Sequence, residues 1–139
     1  MTDKTDVTRH LLNEQERLDY TAELFGSHFP LRLEPVVFTV ATKMAPEYQG
    51  GYWRFWRLSN GGFLMVPTDD RAFTAHSMNG WQGELSADAL GLVACLTAYS
   101  HLSFTGVGDF PRECARQYHL LREIVYNHDE VAAILSSID

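Results

Sequence analysis

A chain of 139 residues, 45% hydrophobic and 12% aromatic, has the length and apolar content for one domain with a core of its own. Its formal net charge of -7, from 18 acids against 11 Lys and Arg, excludes the basic surface that nonspecific nucleic-acid binding needs. No apolar run is long enough to span a membrane, and the opening Met1-Thr2-Asp3-Lys4-Thr5-Asp6 lacks the basic-then-apolar order of a signal peptide, so a cytoplasmic protein is expected.

The polar residues 1–12 are expected to form a flexible N-terminus, with one domain over residues 13–139. A first helix is predicted over 13–25, with Asn13 as N-cap, Glu14 and Glu16 in the first turn, and Gly26 as its stop. Residues 34–45 favour a strand by their valines. Pro35 in a first turn and the spacing of Val37, Val40, Ala41 and Met44 favour a helix, which is the reading adopted. After Gly50-Gly51 an aromatic strand, Tyr52-Trp53-Arg54-Phe55-Trp56-Arg57-Leu58, leads through Ser59-Asn60-Gly61-Gly62 into Phe63-Leu64-Met65-Val66. Asn-Gly between two such runs predicts a hairpin. A third strand is expected over 71–78 and a short fourth near Trp81.

Ser86 is expected to cap a helix over 87–104 that is apolar nearly all round and therefore buried on most sides. Asp109 and Pro111 open a helix to about residue 127, and Asp129 is expected to cap a last short helix carrying Val131, Ile134, Leu135 and Ile138. Helices at both ends and strands between them predict an α+β fold, with one small antiparallel sheet built on the central hairpin and packed by several helices.

Six histidines raise the possibility of a metal site, but no HExxH, CxxC or His pair at i, i+4 is present, so neither metal nor cofactor is expected. Cys95 and Cys114 fall in separate helical stretches and are expected to be free and reduced. A small hydrolase using Cys95 or His101 with His119 is the alternative function; it requires tertiary contact, because Cys95 and His101 point about 120° apart on one helix. Gly50-Gly51 and Gly61-Gly62 lack the endings of phosphate-binding loops and read as turns. Trp53, Phe55 and Trp56 among arginines would suit base stacking, although core aromatics explain them as well. Alternation places Trp53 and Phe55 on one face and Tyr52, Trp56 and Leu58 on the other. Either helices cover both faces or one receives a partner.

The order of motifs goes further than these patterns. Gly50-Gly51-Tyr52-Trp53-Arg54-Phe55, Leu58-Ser59-Asn60-Gly61-Gly62-Phe63 and Pro67 are followed by Leu85-Ser86-Ala87-Asp88-Ala89-Leu90-Gly91 and Tyr99-Ser100-His101. Then come Tyr118-His119-Leu120-Leu121-Arg122, His128-Asp129-Glu130-Val131 and Ile138-Asp139. This series resembles the ArdB/KlcA antirestriction family of plasmids and other mobile elements, with Leu85 and Asp129 standing where that family has Met and Pro. The resemblance implies a non-enzymatic protein that relieves type I restriction of incoming DNA. Its partner would be the host restriction complex or an associated protein, and it would act as a monomer or weak dimer without strong direct DNA binding. It also singles out Trp53, Phe55, Asn60, Gly61, Gly62, Tyr99, His101, Tyr118, Arg122 and Asp139 as motif or interaction residues, most of them with structural roles expected. Imitation of DNA is not expected: a globule of this size spans ~37 Å, over which a duplex carries about 22 phosphates.

Overall fold

In the computed structural model, which describes residues 6–139, helix α1 (Glu14–Phe25) starts at Asn13. Asn13 Oδ1 accepts from the Glu16 main-chain N–H at 2.8 Å, and the Glu16 carboxylate accepts from the Asn13 N–H at 2.9 Å. This reciprocal pair satisfies two main-chain donors that a helix start otherwise leaves open. Gly26 ends the helix at φ 58°. The chain then takes an unexpected π-helical turn, Phe29–Leu33, which runs directly into α2 (Glu34–Met44). The helical reading of residues 34–45 therefore holds, with Val37, Ala41 and Met44 buried on one side.

Strand β1 (Arg9–Leu11) corrects the expected flexible segment 1–12, of which residues 1–5 lie outside the described residues. It pairs antiparallel with β2 (Trp53–Leu58), Arg9 facing Leu58 and Leu11 facing Trp56. Leu12 is buried, and its N–H donates to the Phe55 carbonyl at 2.9 Å. β2 turns through residues 59–62 into β3 (Phe63–Pro67), the predicted hairpin, with Trp53 facing Pro67 and Arg57 facing Phe63.

The remaining strands, β4 (Ala72–His76) and β5 (Gln82–Ser86), form a separate two-stranded sheet rather than continuing the first. The antiparallel strands divide into two small sheets at the outer edge of β3. There the Phe63 N–H donates to Gln117 at 2.8 Å, the Phe63 carbonyl accepts from the Tyr99 hydroxyl at 2.9 Å, and the Met65 carbonyl accepts from the Cys95 thiol at 3.5 Å. Side chains of two helices occupy main-chain groups that a neighbouring strand would otherwise take. β5 is the short fourth strand expected near Trp81, which immediately precedes it.

Those helices are α3 (Ala87–Ser103) and α4 (Asp109–Val125). Ser86 caps α3, its Oγ accepting from the Ala89 N–H at 3.1 Å. α3 is buried nearly all round and lies directly on β3. A Cβ at Gly91 would stand 2.6 Å from Val66 Cα and 2.7 Å from the Met65 carbonyl oxygen. α5 (Val131–Ile138) completes the α+β fold. Asp129 does not cap it: Glu130 holds the N-cap position without a side-chain cap bond, its carboxylate accepting instead from the Ser86 N–H at 2.9 Å.

Candidate functional site

Four of the ten residues singled out by the motifs, Trp53, Phe55, Gly62 and Tyr99, are buried. The Trp53 ring is buried edge-on to Phe38 at 5.2 Å, and its Nε1–H donates to the Tyr48 hydroxyl. Phe55 packs edge-on against Phe63 at 5.3 Å and Phe29 at 5.6 Å. Neither ring is free to stack on a base. On the other face of β2, Tyr52 and Arg54 are exposed and Trp56 is half-buried, with the Arg9 guanidinium 5.8 Å from its ring. Tyr99 is fully buried, and burial pushes its phenol pKa well up.

The hairpin turn is riveted to α4. Asn60 Oδ1 accepts from the Gly62 N–H at 2.9 Å, while its Nδ2 donates to the Leu120 carbonyl at 2.9 Å and to Glu123 at 3.2 Å. Gly61 sits at φ 94°, a conformation suited to glycine, and its carbonyl accepts from Gln117 at 3.1 Å. A Cβ at Gly62 would stand 2.9 Å from Leu58 Cδ1 and 3.1 Å from Asn60 Oδ1, so these side chains would have to shift; the Gly62 carbonyl accepts from the Tyr20 hydroxyl at 3.0 Å.

Besides Asn60 and Gly61, four candidates reach the surface. His101 is exposed near the end of α3. Tyr118, Arg122 and Asp139 come together, with Tyr126 beside them: Arg122 donates to the Tyr118 hydroxyl at 2.9 Å, to Tyr126 at 3.2 Å and to Asp139 at 3.4 Å. This group ties the C-terminal residue to α4. An exposed ion pair of this kind is worth about 0–1 kcal/mol.

A second polar cluster joins parts of the chain that the sequence reading left unconnected. Arg9 grips Asp88 with two bonds, 2.7 and 3.0 Å, and His128 Nε2 lies 2.9 Å from the same carboxylate. The Glu130 N–H donates to His128 Nδ1 at 3.0 Å. That leaves Nε2 as the protonated nitrogen, which donates to Asp88. Burial works to raise the Asp88 pKa, but the bonds from His128 and Arg9 outweigh it and hold the carboxyl well below the usual carboxylate range. Two of the motif blocks meet here, one holding Ser86 and Asp88 and the other His128 and Glu130. Their complementary polar residues were the available signal, while Arg9, outside every motif, carried none.

The Cys95–His pair of the hydrolase reading is not assembled. The Cys95 thiol faces the Met65 carbonyl and burial pushes its pKa up to about 12, whereas His101 and His119 are exposed. Both cysteines are free. Among the described residues no three His, Cys, Asp or Glu side chains are grouped to hold a metal ion, and no helix is long and apolar enough to cross a membrane. Two open cavities remain. One, of about 610 Å³, lies between α1 and the π-helical turn; the other, of about 460 Å³, lies at the start of α4 beside His28 and Arg32.

Residues 46–139 match the family model described as "Antirestriction protein". The chain belongs to the antirestriction protein family. It is 37% identical to an antirestriction protein KlcA of Escherichia coli across 99% of both chains. To a second E. coli KlcA it is 40% identical, covering 91% of this chain and 89% of that one. The solved structure of the KlcA and ArdB proteins, described as a novel fold, superposes with a TM-score of 0.89 at 36% identity, covering 100% of this chain and 99% of the other. The family motif residues thus fall mainly in the parts that build this fold: the hairpin, its rivet to α4, and the helix covering its edge.

Proposed function

We propose that the protein relieves type I restriction of incoming DNA in the cytoplasm by contacting a protein of the restriction apparatus, without catalysis and without imitating DNA. KlcA and ArdB show antirestriction activity against type I DNA restriction systems in vivo but not in vitro. An activity that needs the cell fits a contact with a cellular component better than simple competition for a DNA groove.

The placement of the carboxylates supports the non-mimetic reading most directly. Among the described residues, seven Asp and Glu side chains lie within 4.0 Å of an arginine or histidine nitrogen. Surface acids interleaved with their own counter-cations do not reproduce the continuous charge of a duplex, about one per 1.7 Å. The inert, buried thiol of Cys95 favours a non-enzymatic protein over a hydrolase.

Expression in cells carrying an active type I system tests the function: unmodified phage should survive better than in cells lacking the protein. Absence of protection would overturn the reading. Purified protein at modest excess should leave DNA binding by the restriction enzyme unchanged even at low salt, where electrostatic competition is strongest. Salt-sensitive displacement of the DNA would restore mimicry.

A further inference from the structure

The cavity between α1 and the π-helical turn combines features that the packing of the core does not require. Its floor is aromatic, from Phe29 and Phe55, and one wall is the α1 face carrying Leu18 and Ala22. Leu18 is 66% exposed, and the opposite wall is formed by Pro30 of the π-helical turn, also exposed. A single exposed leucine is ordinary, but one standing with Ala22 and Pro30 over an aromatic floor forms the kind of patch that takes a partner. The π-helical turn itself is a rare geometry, found disproportionately at functional sites. Here it sends Phe29 inward and Leu31 outward within three residues.

The rim is acidic. Glu14 and Glu34 both line the groove, together with Arg17. The Arg17 guanidinium is already engaged: Nη2 donates to the Tyr52 hydroxyl at 2.6 Å and to the Trp53 carbonyl at 2.5 Å, and the group lies 4.1 Å over the Phe55 ring. Glu34 makes no ion pair among the described residues, and burial raises its pKa. A carboxylate partly withdrawn from water is stabilised by a cation arriving beside it. Glu14 is already held by Arg17 at 4.0 Å and by the Tyr52 hydroxyl at 3.2 Å, so Glu34 is the open carboxylate beside the apolar floor, and the groove suits a segment with one apolar and one basic side chain.

We propose that this groove is the docking site for a protein segment of the restriction apparatus that inserts an apolar side chain between α1 and the π-helical turn and sets an adjacent lysine or arginine against Glu34. The proposal rests on the antirestriction function proposed above and names the surface through which it acts.

Ala22→Arg and Glu34→Gln test it, with Met78→Glu as a control on the exposed β4–β5 turn. Arginine is a good helix former, so Ala22→Arg fills the groove and adds a like charge to it without weakening α1. Phage survival in cells with a type I system should fall about ten-fold or more with Ala22→Arg, the loss of a central contact. Glu34→Gln should cost about two- to five-fold, as for one partly exposed charge contact. Met78→Glu should protect as the wild type does, and thermal melts of all three should show them folded. If Ala22→Arg proves unfolded, Glu34→Gln decides. Full protection by folded groove variants, with the wild type active, would overturn the groove and leave the function standing. Loss of protection in the control alongside them would also overturn it. A wild type without protection would instead overturn the function, and the groove with it. Sedimentation showing a wild-type dimer that Ala22→Arg dissolves would assign the groove to a second copy of the chain and overturn the partner named here.

Discussion

Replacing Gly91 by alanine sets helix propensity against packing, and the structure gives the size of each. Alanine is favoured over glycine inside a helix by about 1 kcal/mol. Against this, a Cβ at residue 91 would lie 2.5 Å from Val66 Cγ1, 2.6 Å from Val66 Cα and 2.7 Å from the Met65 carbonyl oxygen. Two of these obstacles are main chain, so no rotamer change removes them, and α3 would have to lift from β3 by about 1 Å to reach ordinary contact distance. The helix cannot lift alone, since Leu90, Leu92, Val93 and Cys95 around it are buried as well. Overpacking of this kind costs about 1–3 kcal/mol, and the main-chain obstacles place this site at the upper end. The net expectation is a loss of about 1–2 kcal/mol, or a Tm lower by about 3–7 °C for a chain of this size. Urea unfolding followed by tryptophan fluorescence and circular dichroism measures it. Val66→Ala should rescue part of the loss in the Gly91→Ala background, because it removes one of the three clashes and leaves two. A Gly91→Ala protein as stable as the wild type, or more so, would refute the close approach of α3 to β3.

Other perturbations follow from single contacts. Tyr99→Phe leaves the buried Phe63 carbonyl without its hydroxyl donor and should destabilise by about 1–3 kcal/mol; a cost near zero in urea unfolding would show that this edge bond is dispensable. Asp88→Asn should lower stability at neutral pH but not in strong acid. Because the folded-state pKa of Asp88 is depressed, its contribution is complete above the unfolded value of about 3.9 and is lost as the pH falls toward the folded value. The Tm gap between wild type and variant should therefore close as pH drops below about 4, and a gap constant down to pH 2 would count against the Arg9–Asp88–His128 cluster. Cys95 and Cys114 are both pushed up to about 12 by burial, so alkylation of the native protein at pH 8 should proceed only through unfolding. Labelling in minutes without denaturant would contradict their placement.

Where local chemistry decides the structure, the sequence discloses it. Asn13 and Ser86 supply helix-starting oxygens, the apolar run of α3 has no polar side to expose, and Asn60-Gly61 carries the turn that closes β2 on β3. What stayed hidden depends on residues far apart. Arg9, His10 and Leu11 have no strand pattern of their own; they are a strand because β2 pairs with them and Asp88, 79 residues on, holds Arg9. The second sheet is separate because Tyr99, Gln117 and Cys95 occupy the β3 edge, and side chains bonding to main chain leave no periodic trace. The π-helical turn is equally unannounced, since Pro30 reads as a loop or a helix start. Of the candidate site, the sequence pointed to Tyr118, Arg122 and Asp139, which do meet, but not to Leu18, Ala22 or Glu34, which share no motif and come together only in the folded groove.

This division bears on how the protein works. Trp53, Phe55, Gly62 and Tyr99 are buried, and Asn60 is committed to α4, so the motif carries a scaffold and can say little about what the scaffold touches. Contacts with a partner must come from exposed residues, and the groove residues Leu18, Ala22 and Glu34 lie outside every motif block. Two classes of variant should then part company. A scaffold change such as Tyr99→Phe should lower protection only as far as it lowers the folded fraction, and a cool growth temperature should restore both. A groove change such as Ala22→Arg should lower protection with the melting curve unmoved, and cooling should restore nothing. If both classes instead followed the folded fraction, the groove would be one more part of the scaffold, and the surface that meets the partner would have to include His101 or the Tyr118–Arg122–Asp139 cluster.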